Sequence, residues 1–266
     1  MTDALIDPLA IIELTNLKAT NKLAELAAHR GLAMKPAWIE ELAENESSLV
    51  RTYLAANPAI GGAVQAMTRL ASDDTPSIRL NLAANPAIGL SAQVIQTLAS
   101  DEDWSVRYWL AQNPAIEGAV QAMTRLASDD TPLVRLSLAS NPAIKNSPQA
   151  IERLSEDEDL HVCLVLASNQ GISGCPSVIA LMAGDATESI RSAIAQNPAL
   201  ATSGAAIETL AADKNTAIRK ALASNPAIAE FPEIAAKLAK DKSLQVRKMA
   251  LASWDRRTGT ALSGIL

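Results

Sequence analysis

The pair Asn-Pro recurs at Asn57, Asn85, Asn113, Asn141, Asn197 and Asn225. Asn169-Gln170 fills the single gap, so the spacing is 28 residues without a slip. Each pair closes a longer phrase, of which Ile78, Arg79, Leu82, Ala83, Asn85, Pro86 and Ile88 are the fixed points in one copy. A fixed period in the range of roughly 20–50 residues marks one supersecondary unit copied in tandem. Such units bury their apolar sides against the copy before and the copy after, so the chain needs no closed core.

Two short helices fit into each unit. Thr75, Asp103, Thr131, Asp159, Thr187, Asn215 and Ser243 occupy one phase, and all are residue types that cap a helix start. The first helix is therefore expected over about Pro76–Ala84. A residue before proline is pushed out of helical geometry, so Asn85 should end it and a short turn should begin at Pro86. The second helix is expected over about Ser91–Ala99. At about 100° per residue, Ile78, Leu82 and Ala83 share one side of the first helix, with Arg79 between them. In the second helix Ala66, Met67, Leu70 and Ala71 face one way, and Gln65, Thr68, Arg69 and Ser72 the other.

The expected fold is all-α: a right-handed α-solenoid of about eight 28-residue two-helix repeats. Residues 1–21 lie outside the period, and Asp7-Pro8 reads as the start of an N-terminal capping helix. The array covers 22–253, with a degenerate first copy in which His29-Arg30 stands where Asn-Pro is due. Residues 254–266 read as a C-terminal tail.

The charge balance narrows the partners. A net charge of −6 argues against a general affinity for nucleic acid or anionic membrane. Cys163 and Cys175 form no metal-ligand motif, and His29 and His161 stand far apart, so no cofactor and no metal are expected. No apolar run approaches the ~20 residues that span a bilayer, and no secretory leader pattern opens the chain. A cytoplasmic protein is the expectation.

The run Val106-Arg107, Leu110-Ala111, Asn113-Pro114, followed by Leu126-Ala127 and Asp129, resembles the leucine-rich repeat variant family. The likeness covers about residues 22–253. It implies a HEAT-like stack of short α and 3₁₀ helices and a binding role, but no chemistry. The unit here is a few residues longer than the family's, which could turn a 3₁₀ segment into a full α-helix. The cysteine-rich iron–sulfur segment found with such repeats in one setting is missing.

Several phases carry polar residues. Arginine recurs at Arg51, Arg79, Arg107, Arg135, Arg191, Arg219 and Arg247, and aspartate at Asp73, Asp101, Asp129, Asp157, Asp185, Asp213 and Asp241. The arginines could form a phosphate-binding stripe. The wheel favours a structural ladder instead, because Arg79 points into the layer, where an unpaired guanidinium is costly. Asn57, Asn85, Asn113, Asn141, Asn197 and Asn225 read as buried backbone caps. No carboxylate pair has a companion His, Ser or Cys in a catalytic pattern, so no enzyme is expected.

The first helices carry Tyr53, Leu80, Tyr108, Trp109, Leu136 and Leu164 on their outer side. These are either a partner-binding stripe or flank residues packed between neighbouring repeats. The functional expectation is a non-catalytic scaffold binding a protein or peptide along this face, with nucleic-acid binding through the arginines as the alternative. Homodimerisation stays open. In the copy from Val162 to Ser189, Cys163 replaces the arginine and Gln170 the proline, which suggests either a looser joint or simple drift.

Overall fold

A computed structural model describes residues 20–29 and 36–258. The expected capping helix over 1–21 therefore lies outside the described residues, apart from Thr20 and Asn21, which open the first helix seen. The described residues hold seventeen α-helices and no strand.

The chain divides into two compact units between Arg125 and Leu126. The first unit runs α1 (Thr20–Ala28), α2 (Pro36–Ala43), α3 (Ser48–Ala56), α4 (Val64–Leu70), α5 (Pro76–Ala84), α6 (Ala92–Leu98) and α7 (Trp104–Gln112), with α8 (Val120–Leu126) at its end. The second runs α9 (Pro132–Ser140), α10 (Pro148–Ser155), α11 (Leu160–Ser168), α12 (Pro176–Ala183), α13 (Glu188–Gln196), α14 (Gly204–Ala211), α15 (Thr216–Ser224), α16 (Pro232–Ala239) and α17 (Leu244–Thr258). Odd-numbered helices are the first of each repeat, and even-numbered helices the second. Within each unit, first helices pack on first helices and second on second.

The short turn after each Asn-Pro is a 3₁₀ helix, as in Pro58–Gly62, Pro86–Leu90 and Pro198–Thr202. This turn stays 3₁₀, and the full α-helix is the second one of the unit, as in Ala92–Leu98. The reason is local: proline opens the turn, and its last residues are needed to reach the start of the second helix. These 3₁₀ helices stack on one another within each unit, making a third column beside the two columns of α-helices. One is short. Pro114–Ile116 stops early, and Gly118 absorbs the turn at φ +88°, a conformation that favours glycine.

All three helices of a repeat contribute to the core. Val134, Leu138 and Ala139 of α9, Ile144 of the 3₁₀ helix, and Ala150, Ile151 and Leu154 of α10 are all buried. Gln65, Thr68, Arg69 and Ser72 are exposed on or beside α4, as the helical wheel requires. Leu23, Leu26 and Ala27 of the degenerate first copy are buried too. At the other end, α17 continues through Thr258, so residues 254–258 are helix rather than tail. Neither glycine nor proline interrupts the sequence until Gly259, and Trp254 is buried.

Candidate functional site

The repeated polar residues lie beneath and beside the candidate face, and they set what is left for a partner. Arg51 Nε donates to Asp73 Oδ2 at 2.6 Å, and Arg79 Nε to Asp101 Oδ2 at 2.6 Å. The same fork joins Arg135 to Asp157, Arg191 to Asp213 and Arg219 to Asp241. The remaining terminal nitrogen turns back to the loop before its own helix: Arg79 Nη1 donates to the Asp73 carbonyl at 2.7 Å. Arg107 and Arg247 make the same return bond, to the carbonyls of Asp101 and Asp241. Donating to the partner aspartate holds the Arg51, Arg79, Arg135, Arg191 and Arg219 guanidiniums above their ordinary pKa. Arg79, Arg135 and Arg191 are each 7% exposed and Arg219 3%, so these charges are spent inside the protein.

The aspartates of this phase also hold the loop, including Asp185, whose arginine position is filled by Cys163. Asp73 Oδ1 accepts the Thr75 amide at 3.0 Å, Asp129 Oδ1 that of Thr131 at 2.9 Å, and Asp185 Oδ1 that of Thr187 at 2.6 Å. The cap phase divides accordingly. Asp103, Asp159 and Asn215 cap through their side chains, while Thr75, Thr131 and Thr187 do not. The expectation of a side-chain cap at every copy is corrected for these threonines. The aspartate two residues earlier folds the loop in both kinds of copy, accepting the amides of Thr75 and Asp103 alike.

The asparagines do more than cap. Asn85 Oδ1 accepts the Ala87 amide at 2.9 Å and so closes the 3₁₀ helix. Its Nδ2 donates to the carbonyls of Ala55 at 2.8 Å and Asn57 at 3.0 Å, both one repeat earlier. Asn57, Asn113, Asn169, Asn197 and Asn225 repeat this pattern, and Asn141 Oδ1 accepts the Ala143 amide at 2.9 Å. Sequence reasoning found the cap and missed the bonds between repeats. Asn169 carried a signal of them, because asparagine persists there although its proline has gone.

The outer stripe splits in two. Leu80, Tyr108, Leu136 and Leu164 each follow the ladder position directly, and all are half-buried on the flanks of first helices. Tyr53 and Trp109, one position further on, are 45% and 40% exposed. Trp104 joins them at 47% exposure. Its ring meets Tyr108 edge-on at 6.2 Å between centroids, and Tyr108 meets Trp109 edge-on at 5.8 Å. The position of Trp104, at the start of α7 directly after the capping Asp103, was the available clue.

Around the aspartate loops lie open notches of about 280–390 Å³, lined for example by Asp73, Asp74, Arg79, Asp101 and Glu102. A further hollow of about 330 Å³ sits on the first-helix face between Leu164, Ser168, Ser192 and Gln196. Cys163 occupies the arginine position of its copy and points its Sγ at the Asp157 carbonyl, 3.3 Å away. Burial pushes the Cys163 and Cys175 thiols up in pKa. His161 is exposed beside Asp159. Among the described residues no group of three or more His, Cys, Asp or Glu side chains is placed to hold a metal, and no helix is long and apolar enough to cross a membrane.

No family model and no curated protein matches the chain. Solved structures do. One is described as a leucine-rich repeat variant with a novel repetitive protein structural motif, and it overlays with a TM-score of 0.51 at 20% identity, covering 82% of each chain. The E. coli protein YibA overlays at 0.42 with 17% identity, over 85% of this chain and 96% of its own. A computationally designed armadillo repeat protein for modular peptide recognition gives 0.21 at 18% identity over 94% of each. Period, three-helix repeat and overlay together give this chain an all-α helical-repeat fold, similar to that of the leucine-rich repeat variant.

Proposed function

We propose that the chain is a non-catalytic scaffold that binds a protein or peptide along the outer face of its first helices. One observation carries this reading: Tyr53, Trp104 and Trp109 stand exposed on α3 and α7, on a chain in which aromatics are only 3% of residues. Large rings that the repeat's own packing does not cover are the usual anchors of an interface. The second helices expose single aliphatic side chains, Val64 on α4 and Leu181 on α12, but no exposed aromatic ring among the described residues. The nucleic-acid alternative has less to stand on. The arginines it needs are buried in ion pairs, and freeing one would leave an aspartate unpaired.

The test is capture of binding partners by the full chain and by Tyr53→Ala/Trp109→Ala. Both side chains are exposed, so the double variant should fold unchanged and retain little capture. Undiminished capture by the variant would remove the first-helix face from consideration.

A further inference from the structure

The exposed rings of the first unit do not sit on a neutral surface. Helices α3, α5 and α7 carry no lysine, and their only arginines are Arg51, Arg79 and Arg107 of the ladder phase. Arg51 and Arg79 are bound to Asp73 and Asp101, and Arg107 donates to the carbonyls of Asp101 and Glu102. The loops that lead into these helices present Glu46, Asp74 and Glu102, all exposed. Glu102 is almost fully open to solvent. Its side chain is 90% exposed, and its Oε1 lies 3.7 Å from Arg79 Nη2. The cations of α4 and α8, Arg69 and Arg125, are on second helices, and Arg69 is paired with Glu44. Residues 1–125 hold fourteen acidic against nine basic residues, whereas residues 126–266 hold fifteen against fourteen. Most of the chain's surplus negative charge therefore belongs to the unit that carries the aromatic cluster.

A flat π-face beside a carboxylate is what a guanidinium needs. The ring attracts the cation over its face, and the carboxylate accepts a planar pair of hydrogen bonds. Trp104 begins α7 two residues after Glu102, so ring and carboxylate are neighbours along the chain as well. We infer that the partner segment taken by the first unit is arginine-rich and extended, its guanidinium groups lying against Trp104 and Trp109 and pairing with Glu102 and Asp74. This rests on the first-helix face being the binding face, and it adds the chemistry of the occupant.

The test uses the full chain and three fluorescein-labelled decapeptides of alternating sequence: Arg-Ala, Lys-Ala and Leu-Ser. Fluorescence anisotropy at about 0.15 M salt reads the binding. The Arg-Ala peptide should bind saturably and more tightly than Lys-Ala, because lysine lacks the stacking plane. Trp109→Ala should weaken it about fivefold to tenfold, the range of a partly desolvated cation–π contact. Asp74→Asn/Glu102→Gln should weaken it comparably and flatten its salt dependence. Equal binding of Arg-Ala by wild type and Trp109→Ala would show mere charge attraction and overturn the inference. No saturable binding of Arg-Ala would do the same. If Leu-Ser binds in a Trp109-dependent way while Arg-Ala does not, the face is right and its assigned occupant is wrong.

Discussion

Asn197 shows how much one side chain holds. It is 3% exposed, and its side chain makes three hydrogen bonds to the protein. Its oxygen accepts the Ala199 amide at 2.9 Å, and its nitrogen donates to Ala167 at 2.8 Å and Asn169 at 3.0 Å. Aspartate has the same shape but cannot donate, and it would place a charge against two carbonyl oxygens. Asn197→Asp should therefore cost about 3 kcal/mol at neutral pH, the scale of a buried charge left without partners. Urea denaturation reads this directly, and a loss under about 1 kcal/mol would contradict the reading. Ser147 is the opposite case. Its hydroxyl is buried with no hydrogen-bond partner, and Ala63 and Ala119 hold the same phase in other copies. Ser147→Ala should leave the urea midpoint unchanged or raise it, since a desolvated hydroxyl without a partner contributes nothing favourable.

At the level of the helix, local rules were enough to place most boundaries. Pro76 and Asn85 bracket α5 as expected, and Ser91 and Ala99 flank α6. These ends follow from proline's missing amide and from side-chain capping, both short-range effects. What the sequence did not show depends on partners 22 to 30 residues away. The fork from Arg79 to Asp101 and the donation from Asn85 to Ala55 are of this kind. So is the half-burial of Leu80 and Leu136, which is set by how closely the neighbouring first helix approaches. The irregular copy illustrates the division. It forms the same three helices, and Asn169 keeps φ −80° and ψ 125°, close to the asparagines that precede proline elsewhere. Gln170 at the first 3₁₀ position is exposed. Gln170→Pro should thus be accommodated without strain and should stabilise by about 0.4–1 kcal/mol, through a less free unfolded chain. A lowered thermal midpoint would mean that this turn differs from its neighbours in a way its backbone angles do not reveal.

Across the molecule, the ladder ties stability to acidity. Asp241 is held below the ordinary carboxylate range, chiefly by the hydrogen bond from Arg219. For Asp73 and Asp213 burial pushes the pKa up. The Arg51 and Arg191 bonds, together with the amides of Thr75 and Asn215, outweigh it, and the net shift is downward. A carboxylate with a depressed folded pKa binds fewer protons than it does in the unfolded chain. Its contribution is complete above the unfolded value near pH 4 and drains away as pH falls through the folded value. The arginine partners shift upward from an already high value, so they add no titration in the working range. Denaturant midpoints should hold steady from about pH 8 to 6 and fall steeply below about pH 4. Asp241→Asn should be weaker at pH 7 by about 3 kcal/mol and should lose less on acidification; an acid profile identical to wild type would detach the ladder from the transition.

The same register has a genetic consequence. Residues 64–76 and 120–132 are identical, and the segment between their starts is two full periods long. Unequal crossover between the two stretches deletes or adds whole copies and leaves each asparagine a preceding copy to donate to. A gene built this way can change length in steps while still encoding a protein that folds, so evolution can lengthen or shorten the stack without redesigning any helix.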